Sequence, residues 1–279
     1  MPEPFDLRTV EKAVAGTEFA GHLHHLATVP STNDLALAVA RAGGRKGVWI
    51  ADQQTAGRGR GSHRWHSAAG DGLYMTALVA PDIPMQSALN LSLRVAIAVQ
   101  SAISSVFGFR APDQIDIRWP NDLILNGRKV GGILIDTASN SATSTGPATL
   151  RHAIIGIGIN VNHTTFPADL DPIATSIRRE LHIHATPLRR EPLASAILLA
   201  LSAEIRALIS NREPRTSNLS LYSTWITGKR VRVEPSASDP IGAAGYTGTT
   251  AGLNPSGFLL VAGDDGQIHT VLSGGLREL

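Results

Sequence analysis

The sequence predicts an α+β protein in which a mixed β-sheet with flanking helices precedes a small β-barrel. Strand-like segments and long amphipathic segments alternate through residues 1–226, and neither type dominates. After Thr227, several short strands are separated by closely spaced turn residues. With 43% apolar and 17% charged residues in a chain of 279, there are enough apolar side chains to bury a sizeable core.

The elements of the first part follow from apolar periodicity between turn residues. We predict strands over His22–Val29, Gly47–Asp52, Gly72–Ala80, Gln114–Trp119, Asp122–Leu125, Arg128–Asp136 and Arg151–Val161. We predict capped amphipathic helices over Leu35–Ala42 and Pro187–Ser210, and a long helix over Ser87–Phe107. Asn126-Gly127 is a strong hairpin signal, and the Ser-, Thr- and Gly-rich stretch Ala138–Ala148 predicts a surface loop.

Near residue 227 the sequence pattern changes to short strand-like segments separated by closely spaced turns, which predicts a second domain. The segments KRVRVEP, GYTGTTAGLNPSGFLLV and GQIHTVLSGG contain short strands joined by Asn-Pro-Ser-Gly and Asp-Asp-Gly turns. This spacing is typical of a small all-β barrel. We therefore predict domains at residues 1–226 and 227–279.

Composition excludes several classes of protein. Without cysteine there is no disulfide framework, thiolate zinc site or cysteine nucleophile. No apolar run reaches the ~20 residues of a membrane helix, and an N-terminus with Glu3, Asp6 and Glu11 does not resemble a signal peptide. We therefore expect a cytoplasmic protein without membrane contact. A net charge of +2 does not favour a general nucleic-acid-binding face.

A glycine-rich loop, Gln53–Asp71, carries the first candidate chemistry. Glycine at alternate positions lets the backbone approach a ligand closely, and the guanidinium groups of Arg58 and Arg60 suit a carboxylate or phosphate. No acidic residue lies between Asp52 and Asp71 to neutralise them. An anion-binding loop, a solvated surface loop and a short Arg-Gly RNA-binding tract all remain open on this evidence.

Three further segments have the residue types of a ligand site. Arg118–Asp122 (RWPND) ends a strand with an amide beside a carboxylate, which suits a base or magnesium but also an ordinary turn. Lys129–Asp136 (KVGGILID) places a lysine before paired glycines, which predicts either close approach of a ligand or a protected edge strand. Gly156–Asn160 (GIGIN) lacks the third glycine of a dinucleotide fingerprint.

Taken in order, these segments resemble the motifs of one family. Ser31-Thr32-Asn33, QTAGRGRGSHRW, RWPND, KVGGIL and GIGIN are similar to those of biotin protein ligases, the biotin–[acetyl-CoA-carboxylase] ligases. The C-terminal GKRVRV, GLNPSGFLLV and SGG are similar to the Src-homology-3-like domain that closes these ligases. The resemblance implies their class II synthetase-like catalytic fold. It also implies ATP-dependent formation of biotinyl-5′-AMP, with magnesium, and biotinylation of a carrier-protein lysine.

The resemblance also implies a role for each matching residue, as follows. Lys129, Arg58 and Arg60 are the catalytic candidates. The biotin-binding candidates are Ser31, Thr32, Asn33, Gln54, Gly57, Arg58, Gly59, Arg60, Lys129, Gly131 and Gly132. The ATP-binding candidates are Arg58, Arg60, Trp65, Arg118, Asn121, Asp122, Lys129 and Asn160, with Asp122 the candidate magnesium ligand. The implied partner is a biotin carboxyl carrier protein, and a homodimer is left open.

Three positions depart from the family pattern. Arg118 replaces a usual lysine, Asp136 a usual glutamate, and His63 a loop arginine of many members. The change at His63 affects how tightly the glycine-rich loop would hold the biotinyl-adenylate intermediate.

Three alternative functions compete with biotin ligation. A lipoate–protein ligase shares the catalytic fold, but the Arg-Gly loop together with RWPND favours biotin. A biotin-responsive DNA-binding repressor needs a winged helix-turn-helix, and the thirty residues before Ser31 are too few for one, so we expect no DNA binding. An RNA-binding protein needs repeated Arg-Gly tracts, and the chain has one.

Overall fold

The structure, a computed structural model, describes residues 4–61, 63–85, 91–141, 148–210, 223–235, 245–254, 256–272 and 275–279. Its helices are α1 (Leu7–Ala13), α2 (Thr32–Arg41), α3 (Leu91–Phe107), α4 (Ile177–Glu180) and α5 (Glu191–Ile209). The strands of the first sheet are β1 (Leu23–Val29), β2 (Gly47–Gln54), β3 (Gly72–Val79), β4 (Ile115–Arg118), β5 (Asp122–Leu125), β6 (Arg128–Asn140) and β7 (Thr149–Asn160). The later strands are β8 (Thr227–Glu234), β9 (Tyr246–Leu253), β10 (Leu259–Gly263), β11 (Ile268–Val271) and β12 (Gly275–Glu278).

The first seven strands form one mixed sheet in the order β1-β2-β3-β7-β6-β5-β4. Only β1 and β2 run parallel, and every other neighbouring pair is antiparallel. Asn126 and Gly127 join β5 to β6 with φ values of 47° and 82°. Positive φ at both residues is the type I′ geometry that the Asn-Gly pair predicts.

Helices cover both faces of this sheet. Alternate strand residues point to opposite faces, so Trp49, Leu78 and Ile154 pack against α2, whereas Val48, Ala77 and Ile155 join the main core. In that core α3 packs against α5. The Ser31 side chain caps α2 by accepting a hydrogen bond from the Asp34 N–H.

The C-terminal strands form a separate antiparallel sheet in the order β11-β10-β9-β8-β12. This confirms the predicted small β domain, but among the described residues β11 and β12 are unpaired edges and the barrel is not closed. Two buried residues of this C-terminal sheet, Val231 and Leu259, belong to the same hydrophobic cluster as the main core. The Trp119 indole N–H, which precedes β5, also donates to Gly257 O of the C-terminal part at 3.3 Å. The boundary near residue 227 stays a prediction.

Several sequence-based predictions need correction. The helix α1 was missed, although Asp6 caps it. The helix α5 begins at Glu191, later than predicted, and its start has no side-chain cap. Strand β6 extends into the predicted loop at 138–148 as far as Asn140, and β7 begins directly after that loop, at Thr149. Residues 142–147 of the loop lie outside the described part, as do residues 87–90 of the predicted helix. Among the described helices, α5 alone has the length and apolar character of a membrane span, and its apolar face is buried.

A buried ion pair between α3 and α5 gives a stability prediction. Arg94 Nη1 lies 3.2 Å from Glu204 Oε2, and both side chains are only 6% exposed. Glu204→Gln leaves a buried guanidinium without its carboxylate, so we expect the free energy of unfolding in urea to fall by about 3 kcal/mol. The exposed pair of Lys229 and Glu278 provides the control, since Glu278→Gln should cost less than about 1 kcal/mol. Equal losses of unfolding free energy in the two variants would show that the Arg94–Glu204 pair does not stabilise the core more than an exposed pair does.

Candidate functional site

A cleft of about 880 Å³ lies on the α2 side of the sheet and gathers most of the predicted site residues. The predicted residues that line it are Ser31, Thr32, Asn33, Gln54, Arg58, Gly59, Arg60, Trp65, Arg118, Asn121, Asp122, Lys129 and Gly132. Gly57, Gly131 and Asn160 are not in the lining. The structure therefore brings together residues that are separated by as much as a hundred positions in the sequence.

Sheet register builds the floor of the cleft. Tyr74 pairs with Gly158, Gly158 with Gly132, Gly132 with Asp122, and Asp122 with Arg118, so these residues form one row across five strands. The two glycines leave space above the sheet that the Trp65 indole occupies. A Cβ on Gly158 would lie 2.6 Å from Trp65 Nε1, and one on Gly132 would lie 3.2 Å from the same ring.

A β-bulge turns Lys129 into the cleft. Leu123 pairs with Gly131, but Ile124 pairs with Lys129, so Val130 is an extra residue in β6. Since side chains alternate along a strand, one extra residue moves Lys129 to the face that carries Asp122. The strand β6 pairs on both sides, with β5 and β7, so the alternative of a lysine protecting an edge strand is wrong.

Asp122 lies between two cations at the centre of this row. Its Oδ1 is 2.5 Å from Lys129 Nζ, and its Oδ2 is 2.6 Å from Arg118 Nη2. Burial acts to raise the pKa of Asp122, but the charges of Lys129 and Arg118 outweigh burial and hold that pKa below its ordinary value. Asp122 is therefore a carboxylate that orients the lysine and the arginine.

The predicted magnesium role of Asp122 does not fit this arrangement. Magnesium needs carboxylate oxygens that are free to enter an octahedral shell, and both oxygens of Asp122 already contact a cationic side chain. Within the described ranges, no cluster of three or more His, Asp and Glu side chains is placed to hold a metal.

The start of α2 forms a buried hydrogen-bond network at one end of the cleft. Gln54 Oε1 accepts from the Thr32 N–H at 2.9 Å, and Gln54 Nε2 donates to Ser67 Oγ at 3.0 Å. Thr76 Oγ1 lies 2.7 Å from Thr32 Oγ1 and 2.6 Å from Asn33 Oδ1. Each of these contacts fixes a side chain that lines or underlies the cleft.

Two buried donors in the cleft have no protein partner among the described residues. These are Asn33 Nδ2 and Trp65 Nε1. Buried polar groups are almost always hydrogen-bonded, because an unpaired donor loses its hydration without compensation. The Asn33 nitrogen lies over Gly156 and the Trp65 nitrogen over Gly158, so both donors are turned toward the sheet and away from solvent.

The Arg-Gly loop is a short hairpin held over the cleft. Gly59 N donates to His63 O at 2.8 Å and Trp65 N donates to Gly57 O at 2.9 Å. Ser62 lies outside the described residues. Arg58 Nη1 lies 3.1 Å from Asp34 Oδ1 and 3.4 Å from Asp136 Oδ2. The expectation of uncompensated loop arginines is therefore wrong for Arg58, whose carboxylate partners come from α2 and β6.

The three predicted residues outside the lining have structural positions instead. Gly57 allows close packing, since a Cβ there would lie 2.7 Å from Trp65 O and 2.8 Å from Ser67 Oγ. Gly131 faces Ile159 on the other side of the sheet. Asn160 is buried and its Nδ2 donates to Thr175 O at 3.0 Å, so it holds the end of β7.

Sequence reasoning missed several residues that shape the site. Thr76 and Ser67 had no signal, because a single hydroxyl residue within a strand or a loop is common. Gly156 and Gly158 stood within GIGIN, and their alternate spacing already placed both on one face of a strand.

The charge of the cleft favours an anionic ligand. Five cationic side chains but a single carboxylate line it within the described part of the chain: Arg58, Arg60, Arg64, Arg118 and Lys129, with Asp122. Arg60 Nη1 lies 3.5 Å from Asn121 Oδ1, at the opposite end of the cleft from Asn33. An elongated ligand with a polar head at one end and an anionic centre near Lys129 matches this distribution.

Comparison with known proteins agrees with the geometry. A family model, the biotin/lipoate A/B protein ligase family, matches residues 27–160. A biotin–[acetyl-CoA-carboxylase] ligase of Mycobacterium tuberculosis is 31% identical over 246 residues, 86% of each chain. A bifunctional ligase/repressor of Bacillus subtilis is 41% identical over 165 residues, 58% of this chain and 48% of that one. This chain thus spans about half the length of that relative.

The fold is that of a solved ligase. A biotin protein ligase from Aquifex aeolicus, in complex with biotin and ATP, has a TM-score of 0.72 and 24% identity, covering 93% of this chain and 100% of that one. The sequence match over most of the M. tuberculosis relative shows the family. This chain belongs to the biotin/lipoate A/B protein ligase family.

Proposed function

We propose that this protein is an ATP-dependent biotin ligase that forms biotinyl-5′-AMP and transfers the biotinyl group to a lysine of a biotin carboxyl carrier protein. The observation that carries the proposal is the cleft itself, where five cationic side chains surround a glycine floor. The named relatives in M. tuberculosis and Paracoccus denitrificans, both biotin–[acetyl-CoA-carboxylase] ligases, support the carrier as partner.

The chemistry explains why this cleft is cationic. A carboxylate oxygen of biotin attacks the α-phosphorus of ATP, the bond to the β-phosphate breaks, and pyrophosphate leaves. Two anions must approach each other in this step, so fixed positive charges lower the barrier. In the second step the carrier lysine amine attacks the acyl carbon, AMP leaves, and the amine proton passes to solvent. Neither step needs an enzyme nucleophile.

The proposed roles follow the position of each side chain. Lys129, directed by the bulge and held by Asp122, faces the reacting carboxylate and α-phosphate. Arg60 and Asn121 contact the nucleotide end, and Ser31, Thr32, Asn33 and Gln54 hold the biotin ring. Magnesium enters as part of the ATP substrate, carried by its phosphates. The cytoplasmic location and the absence of DNA binding stay predictions.

The direct test is ATP–pyrophosphate exchange by the purified protein. We expect exchange that depends on biotin, because pyrophosphate is released only when biotin is activated. Lipoate at the same concentration should stimulate much less. Absence of biotin-stimulated exchange across a range of magnesium concentrations would contradict the proposal, and stronger stimulation by lipoate would reassign the substrate.

Lys129 provides the sharpest variant. Loss of one preorganised donor typically costs ~3–4 kcal/mol of transition-state stabilisation, a hundred- to a thousandfold in rate. We therefore expect Lys129→Ala to fold normally but to form adenylate slower by about that factor in a single turnover. Lys129→Arg should recover only part, because a planar guanidinium does not replace a compact ammonium.

A second lysine serves as the matched control for this variant. Lys46 is exposed and lies outside the cleft lining, so Lys46→Ala should leave the adenylation rate unchanged. Full single-turnover activity in a stable Lys129→Ala protein would remove this lysine from the mechanism.

The loop gives a prediction that does not depend on turnover. Trypsin cleaves after arginine, so the cleavage rate within Gly57–Trp65 reports how often the loop opens. Saturating biotin plus ATP should slow cleavage, because the closed loop gains an anion. Removing both partners of Arg58 with Asp34→Asn and Asp136→Asn should speed cleavage of the free protein on the order of fivefold, the range of an exposed ion pair. Equal cleavage with and without ligands would show that the loop does not close over them.

A further inference from the structure

We propose that Glu180, the last residue of α4, is a positioning residue that holds Lys129 in place by joining the β5–β6 turn to residues 173–175, the bridging segment. This inference rests on the proposed function and deepens it, because it identifies what fixes the lysine that acts on the reacting anions. Glu180 itself lies outside the cleft lining, and no motif of the sequence points to it.

The backbone of Lys129 is bound by a segment that belongs to neither neighbouring strand. The Lys129 N–H donates to Ile173 O at 2.9 Å, and the Thr175 N–H donates to Lys129 O at 2.9 Å. Lys129 and Ala174 thus form an isolated parallel bridge. The bridging segment therefore satisfies both main-chain groups of the lysine, which a residue inside a sheet would satisfy through its neighbouring strands.

The neighbouring strands explain why this bridge is needed. On one side the bulge at Val130 interrupts the pairing of β6 with β5. On the other side the pairing of β6 with β7 begins at Gly131, and the N–H of Val161, the residue after β7, donates to Asp71 O instead. Lys129 therefore lies where one ladder is interrupted and the other has ended, and the bridging segment takes the place of the missing partner.

Glu180 ties the bridging segment to the β5–β6 turn. Its Oε1 accepts from Arg128 Nη2 at 2.7 Å and from the Thr175 hydroxyl, and its Oε2 accepts from Asn126 Nδ2 at 2.7 Å. Arg128 directly precedes the lysine, and Thr175 holds the carbonyl of the lysine. One carboxylate thus connects the chain before Lys129 to the segment that binds the Lys129 backbone.

The Glu180 carboxylate stays ionised in this position. Its side chain is only 9% exposed, and burial acts to raise its pKa. The hydrogen bonds from Thr175 and Asn126, together with the charge of Arg128, outweigh burial and hold the pKa of Glu180 below its ordinary value. An ionised carboxylate has acceptor atoms only, which matches three partners that all donate.

The consequence concerns the Lys129 side chain. Its contacts with Asp122 and the Trp65 ring form only if the backbone keeps the lysine at the bulge. A displacement of about 1 Å in a catalytic group can cost about a hundredfold in rate. Without Glu180 the bridging segment keeps one anchor, because Asn160 Nδ2 still donates to Thr175 O at 3.0 Å. We therefore expect part of that loss, about tenfold.

The first test measures kcat and KM for biotin in ATP–pyrophosphate exchange. In Glu180→Ala, kcat should fall about tenfold and KM for biotin should change less than about twofold, because Lys129 acts on the reacting anions and not on the biotin ring. Glu180→Gln should recover most of the rate, since its amide can serve all three partners once the Asn126 amide turns. Thr175→Val breaks only the link to the bridging segment and should lower kcat about threefold, the effect of one hydrogen bond.

A double-mutant cycle separates positioning from general stability. If Glu180 acts through Lys129, adding Glu180→Ala to Lys129→Ala should slow single-turnover adenylation by less than about twofold. The melting temperature should nevertheless fall as much as it does in Glu180→Ala alone. Glu191→Ala is the matched control: Glu191 is 3% exposed, accepts from Asp6 N at 2.8 Å and lies outside the cleft lining. Its loss should lower the melting temperature and leave kcat unchanged.

Hydrogen exchange tests the first step without turnover. The Lys129 amide is protected by its bond to Ile173, so Glu180→Ala should speed exchange of this amide about tenfold below the unfolding transition, whereas Glu191→Ala should not. Unchanged exchange at Lys129 in folded Glu180→Ala would show that Glu180 does not hold this backbone. If Glu180→Ala does not fold, Thr175→Val provides the same comparison.

The outcomes separate the inference from the function on which it rests. If wild type shows no biotin-stimulated exchange, the proposed function is wrong, and hydrogen exchange still decides whether Glu180 holds the Lys129 backbone. If wild type is active but Glu180→Ala and Thr175→Val keep full kcat, Glu180 does not position the lysine. A rate loss as large in the Lys129→Ala background as in wild type would reduce Glu180 to a structural role.

Discussion

The extra residue at Val130 in β6 is the constraint on which the site depends. Without this bulge, Lys129 would point to the opposite face of the sheet and Asp122 would have only Arg118 beside it. With it, the lysine, the aspartate and the arginine lie in one row at the centre of the cleft. Burial would favour the neutral acid, but the two cations keep Asp122 ionised. The carboxylate therefore holds the lysine in place before any substrate arrives, and this preorganisation is what catalysis of a reaction between two anions requires.

The same sheet explains how a ligand fits above these charges. Gly132 and Gly158 have no side chains on the cleft floor, and the Trp65 indole occupies the space above them. The Lys129 ammonium nitrogen lies 5.5 Å from the centroid of the Trp65 ring. The Arg-Gly loop then covers the cleft from the other side, tied through Arg58 to Asp34 and Asp136. The start of α2 places uncharged polar side chains at one end of the cleft, and the β5–β6 hairpin places charged side chains at the other.

Local features of the fold were predictable and long-range features were not. The β5–β6 turn, β7 and most of α2 follow from Asn126-Gly127, continuous apolar residues and a hydroxyl cap. The partners of Arg58 could not be read from the sequence, because Asp34 lies 24 residues away in sequence and no pattern links it to the loop. The bulge at Val130 was equally hidden, since KVGG fits a regular strand as well. Thr76 was missed because its role depends on Gly156 and Asn33, which only the folded sheet and helix bring to it.

A cleft whose cations are preorganised for two converging anions should be complementary to the joined intermediate rather than to either substrate alone. Binding of biotinol-5′-AMP, an unreactive analogue with a phosphodiester in place of the acyl phosphate, tests this most directly by calorimetry at two salt concentrations. An enzyme that stabilises the converging anions should bind the analogue at least about a hundredfold more tightly than biotin, and added salt should weaken that binding more than it weakens biotin. An analogue that binds no more tightly than biotin, with the same salt dependence, would contradict the account.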